Sequence, residues 1–280
     1  MNGILYLVGT PIGNLSDLSP RARECLSTVD FIAAEDTRVS LKLLNHFDIK
    51  KPLVSYHEHN RAESGEKILE RLLAGESCAL VTDAGMPAIS DPGEDLVKLC
   101  AENGVIVSPV PGPSALIAAL AASGLPTQRF CFEGFLSTSN KSRNEHLQSL
   151  KNETRTMIFH EAPHKLTRTL RDMLAAWGDR DIALCRELTK LHEEILRMKL
   201  SAACEYMEQN PPRGEFVLVI RGAEPATVPA LSPDDALELV AALQEDGLKL
   251  KDACKEAAER SGLGKNELYR AWLDRQNVRN

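Results

Sequence analysis

The sequence lacks paired cysteines and long apolar runs, and each absence excludes a class of protein. Its seven cysteines are scattered singly, without a Cys-x-x-Cys pair. Most lie within apolar segments, which predicts reduced, buried thiols and argues against a zinc site. No apolar run approaches the roughly 18 residues that a membrane helix needs, and no basic leader opens the chain. We therefore expect a cytoplasmic protein that binds no membrane and no metal.

Basic residues are scarce as well. The chain has 33 Lys and Arg against 40 Asp and Glu, which gives a formal net charge of −7. Non-specific binding to nucleic acid needs a basic surface against the phosphates, so this charge disfavours it. Any RNA partner must meet a local basic patch.

The common nucleotide-binding fingerprints are missing too. The segment Gly9–Asn14, Gly-Thr-Pro-Ile-Gly-Asn, has neither the Lys-Ser/Thr of a phosphate loop nor the Gly-x-Gly-x-x-Gly of a dinucleotide-binding helix. Because it follows the first predicted strand, it is interpreted as a tight loop that lines a cleft at a strand's carboxyl end.

What is present is an alternation of strand and helix patterns, typical of an α/β fold with a mostly parallel sheet. A second, smaller alternating set follows, and the chain of 280 residues is long enough for two such cores plus a small third unit. We predict α/β domains over residues 1–120 and 121–223, a linker over 224–233 and a helical tail over 234–280. The polar segment Ser137–Arg143 is expected to be an interdomain linker or a mobile loop. The strands of the first half of the chain are predicted at Ile4–Val8, Phe31–Ala34, Leu53–Ser55, Ser77–Thr82, Val105–Pro109 and Arg129–Phe132.

The segment Leu80–Gly93 joins a buried strand to a helix through two Gly, two Pro and two Asp. Gly permits positive φ and close backbone approach, and Pro fixes φ, so the composition predicts one defined loop shape with exposed amides. In an open α/β sheet, ligands bind at this end of a strand. A second such loop, Val107–Ala115, leads through three prolines to Ser114, the predicted N-cap of an alanine-rich helix.

Two polar motifs follow other strands. Glu35-Asp36-Thr37-Arg38 is interpreted either as a rim that positions a substrate or supplies a base, or as the N-cap of the next helix. His160-Glu161-Ala162-Pro163-His164 matches the His-Glu-x-x-His of zinc proteases, but Pro163 disfavours helix at Ala162, so we interpret it as a strand-to-helix loop. His57 and His59 share a strand face without a third metal ligand at suitable spacing.

The tail shows three short helix patterns, and its second and third helices are separated by a Gly-Leu-Gly turn, in outline a helix-turn-helix. Nucleic-acid contact is one interpretation, and packing or dimer contact is the other. The basic residues that favour nucleic acid are Lys249, Lys251, Lys255, Lys265, Arg270, Arg275 and Arg279.

Taken together and in this order, the motifs closely resemble the ribosomal-RNA-modifying branch of the tetrapyrrole methylase family. The resemblance covers residues 4–222 and the tail. It implies S-adenosylmethionine in a cleft between the two domains, a homodimer, and methylation of a cytidine 2′-hydroxyl in 16S ribosomal RNA within the 30S subunit. The motifs that carry it are Gly9–Asn14, Glu35–Arg38, Thr82–Gly93, Pro111–Ala115 and Phe159–His164.

Site residues are assigned from the same resemblance. It implies that Pro11 lines the cleft and that further residues hold the cofactor. One departure lies in Phe132–Thr138, where Ser-Thr stands after the leucine instead of an expected proline, which affects only that loop. The implied cofactor contacts are Asp83, Gly85, Ala88, Ser114, Ala115, Glu161 and Leu188.

Methyl transfer from a sulfonium is an in-line displacement that needs orientation in a water-poor site and no metal. A ribose hydroxyl is a poor nucleophile, so a nearby base that takes its proton is expected. The candidates, among which the sequence does not choose, are Glu35, Asp36, His160 and Glu161. The alternative functions are a methyltransferase acting on a tetrapyrrole or another small molecule, and a non-catalytic RNA-binding assembly module.

Overall fold

A computed structural model describes residues 2–224 and 231–279 of the protein, with side chains as far as residue 276. The chain forms two compact units, residues 1–223 and 224–280, which are described separately. Most of the predicted linker 224–233, residues 225–230, lies outside the described residues.

A five-stranded parallel sheet forms the first half of the larger unit, in the order β3-β2-β4-β1-β5. Side chains alternate across it, so Ile32 and Ala34 pack with α1 and α2, whereas Phe31 and Ala33 pack with α3 and α4 on the other face. The mostly parallel sheet predicted from the alternation is confirmed. The elements are β1 (Ile4–Val8), α1 (Pro20–Thr28), β2 (Phe31–Ala34), α2 (Thr37–His46), β3 (Leu53–Ser55), α3 (Arg61–Leu73), β4 (Cys78–Val81), α4 (Glu94–Glu102) and β5 (Ile106–Val110).

A mixed five-stranded sheet forms the second half, in the order β6-β7-β10-β8-β9. Of the four pairs of neighbouring strands in this sheet, β6–β7 is parallel and the other three are antiparallel. One face packs against α6, α7 and α8, and the other face packs against α5. The elements are α5 (Ala115–Ala122), β6 (Phe130–Phe135), α6 (Asn140–Ser149), β7 (Thr156–Glu161), α7 (Pro163–Trp177), β8 (Asp181–Arg186), β9 (Glu194–Lys199), α8 (Leu200–Gln209) and β10 (Phe216–Ile220).

Helix α5 joins the two sheets into one body. It follows the last strand of the first sheet, but its Ala119 and Leu120 are buried against Ile158 and Val219 of the second sheet, together with Ile12 from the loop after β1. A boundary near residue 120 stays a prediction, because the two sheets share this packing.

The expectation of a linker or mobile loop at Ser137–Arg143 is wrong. Helix α6 begins at Asn140, and Arg143 is only 3% exposed because it lies against α7. Its guanidinium donates from Nε to Asp172 Oδ2 at 2.7 Å and from Nη2 to Thr169 Oγ1 at 2.8 Å. The polar composition did not predict a helix because one of its buried positions is an arginine. The partners of this arginine lie 26 and 29 residues away, so no local pattern indicates its burial.

The smaller unit contains the three helices expected of the tail, α9 (Pro233–Glu245), α10 (Leu250–Ser261) and α11 (Lys265–Arg279). Val240, Ala253, Ala257 and Leu268 are buried in its core. Gly262 ends α10 in the left-handed conformation at φ 73°, the C-cap geometry that glycine adopts without strain. Among the described residues, no helix is both long enough and apolar enough to span a bilayer.

Candidate active site

A cleft of about 400 Å³ lies in the larger unit, between the loops of the first sheet and the second sheet. Both halves of the unit contribute to its walls. The residues assigned from the sequence that line it are Glu35, Asp83, Ala115, His160, Glu161 and Leu188. Pro11, Asp36, Gly85, Ala88 and Ser114 are not among its lining residues.

The loop from Thr82 to Gly93 holds an unusual backbone. Gly85 has φ 92°, and the non-glycine residues Ala88 and Ser90 have φ 67° and 64°. Left-handed conformations cost non-glycine residues free energy, and they tend to occur where the surrounding structure fixes a loop for function. The positive φ that glycine was expected to permit is present at Gly85, whereas the single loop shape with exposed amides stays a prediction.

Gly85 fixes this loop to the loop after β1. Thr10 N–H donates to the Gly85 carbonyl at 2.9 Å, and Gly85 N–H donates to the Thr10 carbonyl at 3.2 Å. The Thr10 hydroxyl donates to the Thr82 carbonyl at 3.1 Å. Because both backbone polar groups of Gly85 are used inside the protein, its direct contact with a cofactor stays a prediction, and its observed role is to place the loop.

Three carboxylates lie together at this end of the first sheet: Glu35, Asp83 and Asp91. The Thr82 hydroxyl donates to Glu35 Oε2 at 2.7 Å. Burial and the neighbouring charge of Glu35 raise the pKa of Asp91 to about 6, and the same two causes raise the pKa of Asp83. The cluster therefore gives the cleft negative charge and one carboxylate that exchanges protons near neutral pH.

Asp36 has a different environment. Its carboxylate accepts from Arg38 N–H at 2.8 Å as the N-cap of α2, and it also pairs with the Arg38 side chain at 2.7 Å. The Arg38 side-chain hydrogen bonds, followed by the backbone one, lower the pKa of Asp36 to about 2. The capping interpretation of this motif is confirmed for Asp36, whereas the adjacent Glu35 faces the cleft.

The His160–His164 segment is a strand end followed by a helix start, as predicted. Strand β7 ends at Glu161 and α7 begins at Pro163, so the two histidines do not share a helix face. His160 packs against the rings of Phe132 and Phe135, with centroid distances of 5.1 and 5.5 Å. Burial lowers the pKa of His160, which keeps its imidazole neutral near pH 7. Within the described ranges, no group of three or more His, Cys, Asp or Glu is arranged to hold a metal ion.

Glu161 is buried, with both carboxylate oxygens engaged. Oε1 accepts from Ala162 N–H at 2.9 Å, and Oε2 accepts from the Thr169 hydroxyl at 2.5 Å. It is 3% exposed where it meets the cleft. Since the protein already supplies its partners, Glu161 is better suited to fix this wall than to accept a proton from a substrate.

The loop after β8 forms the opposite wall. Leu188 is buried at the cleft between Glu187 and Thr189, whose φ angles of 49° and 65° are both left-handed. Lys190 Nζ pairs with Glu187 Oε1 at 3.1 Å and with Glu215 Oε2 at 2.8 Å. The loop is thereby held to Glu215, which directly precedes β10 and also lines the cleft.

Sequence reasoning missed several lining residues. Asp91 lies in the Leu80–Gly93 loop, which the sequence identifies as a ligand-binding loop. The same reasoning that made Asp83 a site residue therefore applies to Asp91. Phe135 belongs to the quoted Phe132–Thr138 motif. Cys185, Glu215 and Val217 reach the cleft only through the pairing of β8 with β10, for which no local signal exists.

The Ser114 prediction holds in part. Ser114 occupies the N-cap position of α5, but its side chain makes no capping hydrogen bond, and the following Ala115 lines the cleft. Ala88 is half-buried, and Pro11 is buried beside the bridged Thr10. The cofactor contacts assigned to these three positions stay predictions.

The walls suit a nucleoside carrying a positively charged group. Ile12, Leu188 and Val217 offer apolar surface for a planar base, while the carboxylates can accept from ribose hydroxyls and attract an ammonium or sulfonium. Two α/β halves with such a cleft define the class of two-domain S-adenosylmethionine-dependent methyltransferases.

Comparisons with known proteins agree. The chain belongs to the tetrapyrrole methylase family, because the family described as Tetrapyrrole (Corrin/Porphyrin) Methylases matches residues 4–204. Residues 230–276 match a second family, described as RsmI C-terminal HTH domain. The resemblance drawn from the motifs is thereby confirmed, and the protein is a methyltransferase with S-adenosylmethionine as its cofactor.

Two of the relatives that match almost the whole chain have the same name. The chain is 50% identical over 97% of its length to a protein of Synechocystis sp. called ribosomal RNA small subunit methyltransferase I, 98% of which is covered. It is 47% identical over 96% of its length to a protein of the same name from Halalkalibacterium halodurans, 94% of which is covered.

Solved structures share the fold at low identity. Cobalt precorrin-4 methyltransferase aligns with a TM-score of 0.58 at 19% identity, over 78% of this chain and 94% of that one. Uroporphyrin-III C-methyltransferase from Thermus thermophilus, complexed with S-adenosyl homocysteine, aligns with a TM-score of 0.56 at 19% identity, over 78% and 97%.

Proposed function

We propose that this protein methylates the 2′-hydroxyl of a cytidine in 16S ribosomal RNA, within the 30S subunit, in the cytoplasm. The observation that carries the proposal is that the relatives named for small-subunit ribosomal RNA match the chain over both units, including the helix-turn-helix tail. Methylases of small molecules are similar to only 78% of the chain.

The bound cofactor supplies an electrophilic methyl group on a positively charged sulfur. Asp83, Ala115 and Leu188 would hold it in the cleft, and a cleft carboxylate would accept the hydroxyl proton as the methyl group is transferred. Leu188 and the Thr82–Gly93 loop hold the reactants in line and exclude water, which supplies much of the acceleration in such a displacement.

For the base we favour the carboxylate cluster of the cleft over Asp36, Glu161 and His160, and this cluster is Glu35, Asp83 and Asp91. Asp36 is held by Arg38 and is a weak base, and both oxygens of Glu161 already accept hydrogen bonds. His160 is buried against Phe132 and Phe135, and this loss of solvation opposes the imidazolium that it must become. Asp91, with its pKa near 6 beside Glu35, is the best matched to proton transfer near neutral pH.

A homodimer and an RNA contact by the tail are further parts of the proposal. Large apolar side chains are exposed on the edge strands and on α5, which supports burial against a second copy: Ile106, Ile117, Phe130 and Phe135. In the tail, basic side chains on or beside α10 and α11 are exposed and available for phosphates: Lys249, Lys251, Lys255, Lys265 and Arg270.

The test is to incubate the purified protein with methyl-labelled cofactor and 30S subunits from a strain lacking this modification. We expect label in 16S ribosomal RNA, at a cytidine ribose that becomes resistant to alkaline cleavage. Protein-free 16S RNA and a tetrapyrrole such as uroporphyrinogen are the parallel substrates. Label in the tetrapyrrole alone would replace the proposal with small-molecule methylation. Cofactor binding without transfer to any of them would favour a non-catalytic RNA-binding role.

A further inference from the structure

A buried arginine on α6 is the starting point. Arg143 contacts no part of the cleft, yet its side chain is 4% exposed and its partners are polar groups of α7. Burying a cation costs free energy unless it is paired and hydrogen-bonded. The pairing is provided by Asp172, at 2.7 Å, and by the hydroxyl of Thr169, at 2.8 Å.

The Thr169 hydroxyl links Arg143 to Glu161 through two hydrogen bonds whose directions are fixed. Thr169 is fully buried, and its oxygen lies within hydrogen-bond distance of both Arg143 and Glu161. A guanidinium can only donate, so the threonine oxygen accepts from Arg143 and its single proton is free to be donated to Glu161 Oε2. The chain of hydrogen bonds therefore runs from Arg143 through Thr169 to Glu161.

Glu161 connects these hydrogen bonds to the cleft. Its second oxygen accepts from the backbone of Ala162, and Glu161, Ala162 and Pro163 all line the cleft at the β7–α7 junction. The network thus spans from α6 to the wall of the site, and it fixes where one strand ends and the next helix begins.

We propose that Arg143 and Thr169 are positioning residues for cofactor binding, acting through Glu161. Without the Thr169 hydroxyl, Glu161 Oε2 is left buried with no donor, a state that costs the desolvation free energy of that oxygen without compensation. The carboxylate regains a partner by turning toward water in the cleft, which displaces the wall.

The test compares Thr169→Val with Thr169→Ser in the full chain. Calorimetry with S-adenosylhomocysteine is expected to show affinity about tenfold weaker for the valine variant, and within about twofold of the wild type for the serine variant, which keeps the hydroxyl. In steady-state assays on 30S subunits, KM for S-adenosylmethionine should rise more than kcat falls. The calorimetry needs no RNA, so its result is independent of the proposed substrate.

Thr156→Val is the matched control. Thr156 lies at the other end of β7, is 2% exposed, and donates its hydroxyl to the Pro126 carbonyl at 2.6 Å. It should lower Tm as Thr169→Val does while leaving cofactor affinity unchanged. Equal Tm losses with unchanged affinity in both variants would overturn the proposal. If Thr169→Val does not fold, Arg143→Lys replaces it, and wild-type affinity in that variant overturns the proposal equally.

Discussion

At the scale of single residues, a carboxylate of the cleft lowers the stability of the folded protein at neutral pH. Asp91 is ordinarily ionised at neutral pH, but burial and Glu35 raise its pKa to about 6. The native state therefore binds more protons than the unfolded state between about pH 4 and pH 6, so stability falls as pH rises through that window and the cost is fully present above it. Such a loss of stability is expected at a residue that is retained for its role in function.

Asp91→Asn should consequently raise stability while it lowers activity. We expect the free energy of unfolding at pH 8 to rise by about 1 kcal/mol, after discounting for solvent screening at a partly exposed group. Methylation of 30S subunits should fall about 100-fold if Asp91 takes the hydroxyl proton. Thermal unfolding and initial rates measure the two effects. In the wild type, kcat should fall as pH drops through about 6, and a variant with wild-type kcat would remove Asp91 as the base.

Gly85→Val tests the loop rather than a direct contact. A Cβ on Gly85 would meet Ile12 and Pro113 only at ordinary distances of 3.6 and 3.7 Å, so the strain comes from the backbone at φ 92°. We expect cofactor affinity to weaken at least about tenfold as the loop moves, with the fold retained. Gly104→Val is the control, since Gly104 also has a positive φ, 68°, with nothing within 4 Å of a Cβ. Calorimetry showing unchanged affinity for Gly85→Val would remove this loop from the cofactor site.

At the scale of elements, local sequence signals predicted the parts whose packing is local. Strands β1, β2 and β3 lie at the predicted residues, because short β-branched or apolar runs are bounded by turn residues. Helix α6 was missed because its burial depends on partners on α7. For the same reason the sequence identified the loops of the cleft but neither the carboxylate cluster nor the hydrogen bonds that hold Glu161, since both arise from distant segments.

The β7–α7 junction carries the next prediction. Because β7 ends at Glu161 and α7 begins at Pro163, His160 and His164 cannot bind zinc as they do on a zinc-protease helix. A zinc-selective chelator, with Mg²⁺ kept for the ribosomal subunits, should leave both cofactor affinity and methylation unchanged. Activity that is lost on chelation and restored by added zinc would contradict this.

At the scale of the whole molecule, the distribution of charge decides how an acidic protein could engage RNA. Over the entire chain the formal charge is −7, and α9 carries only acidic charged residues. The exposed basic residues of the tail lie from residue 249 onward. Arg143 does not add to them, because it is buried and paired with Asp172. Long-range attraction is therefore weak, and we expect RNA binding to depend on a few local contacts.

Deleting residues 234–280 separates the two roles considered for the tail. Because residues 1–223 form a compact unit that contains the whole cleft, S-adenosylhomocysteine affinity should stay near the wild-type value. Methylation of 30S subunits should fall sharply, and each lost phosphate contact should lower the salt slope of RNA binding by roughly 0.7–0.9. If the tail instead serves dimer packing, light scattering will show the truncated protein as a monomer. A truncated dimer that methylates 30S subunits at the full rate, with unchanged salt dependence, would show that the tail has no RNA role.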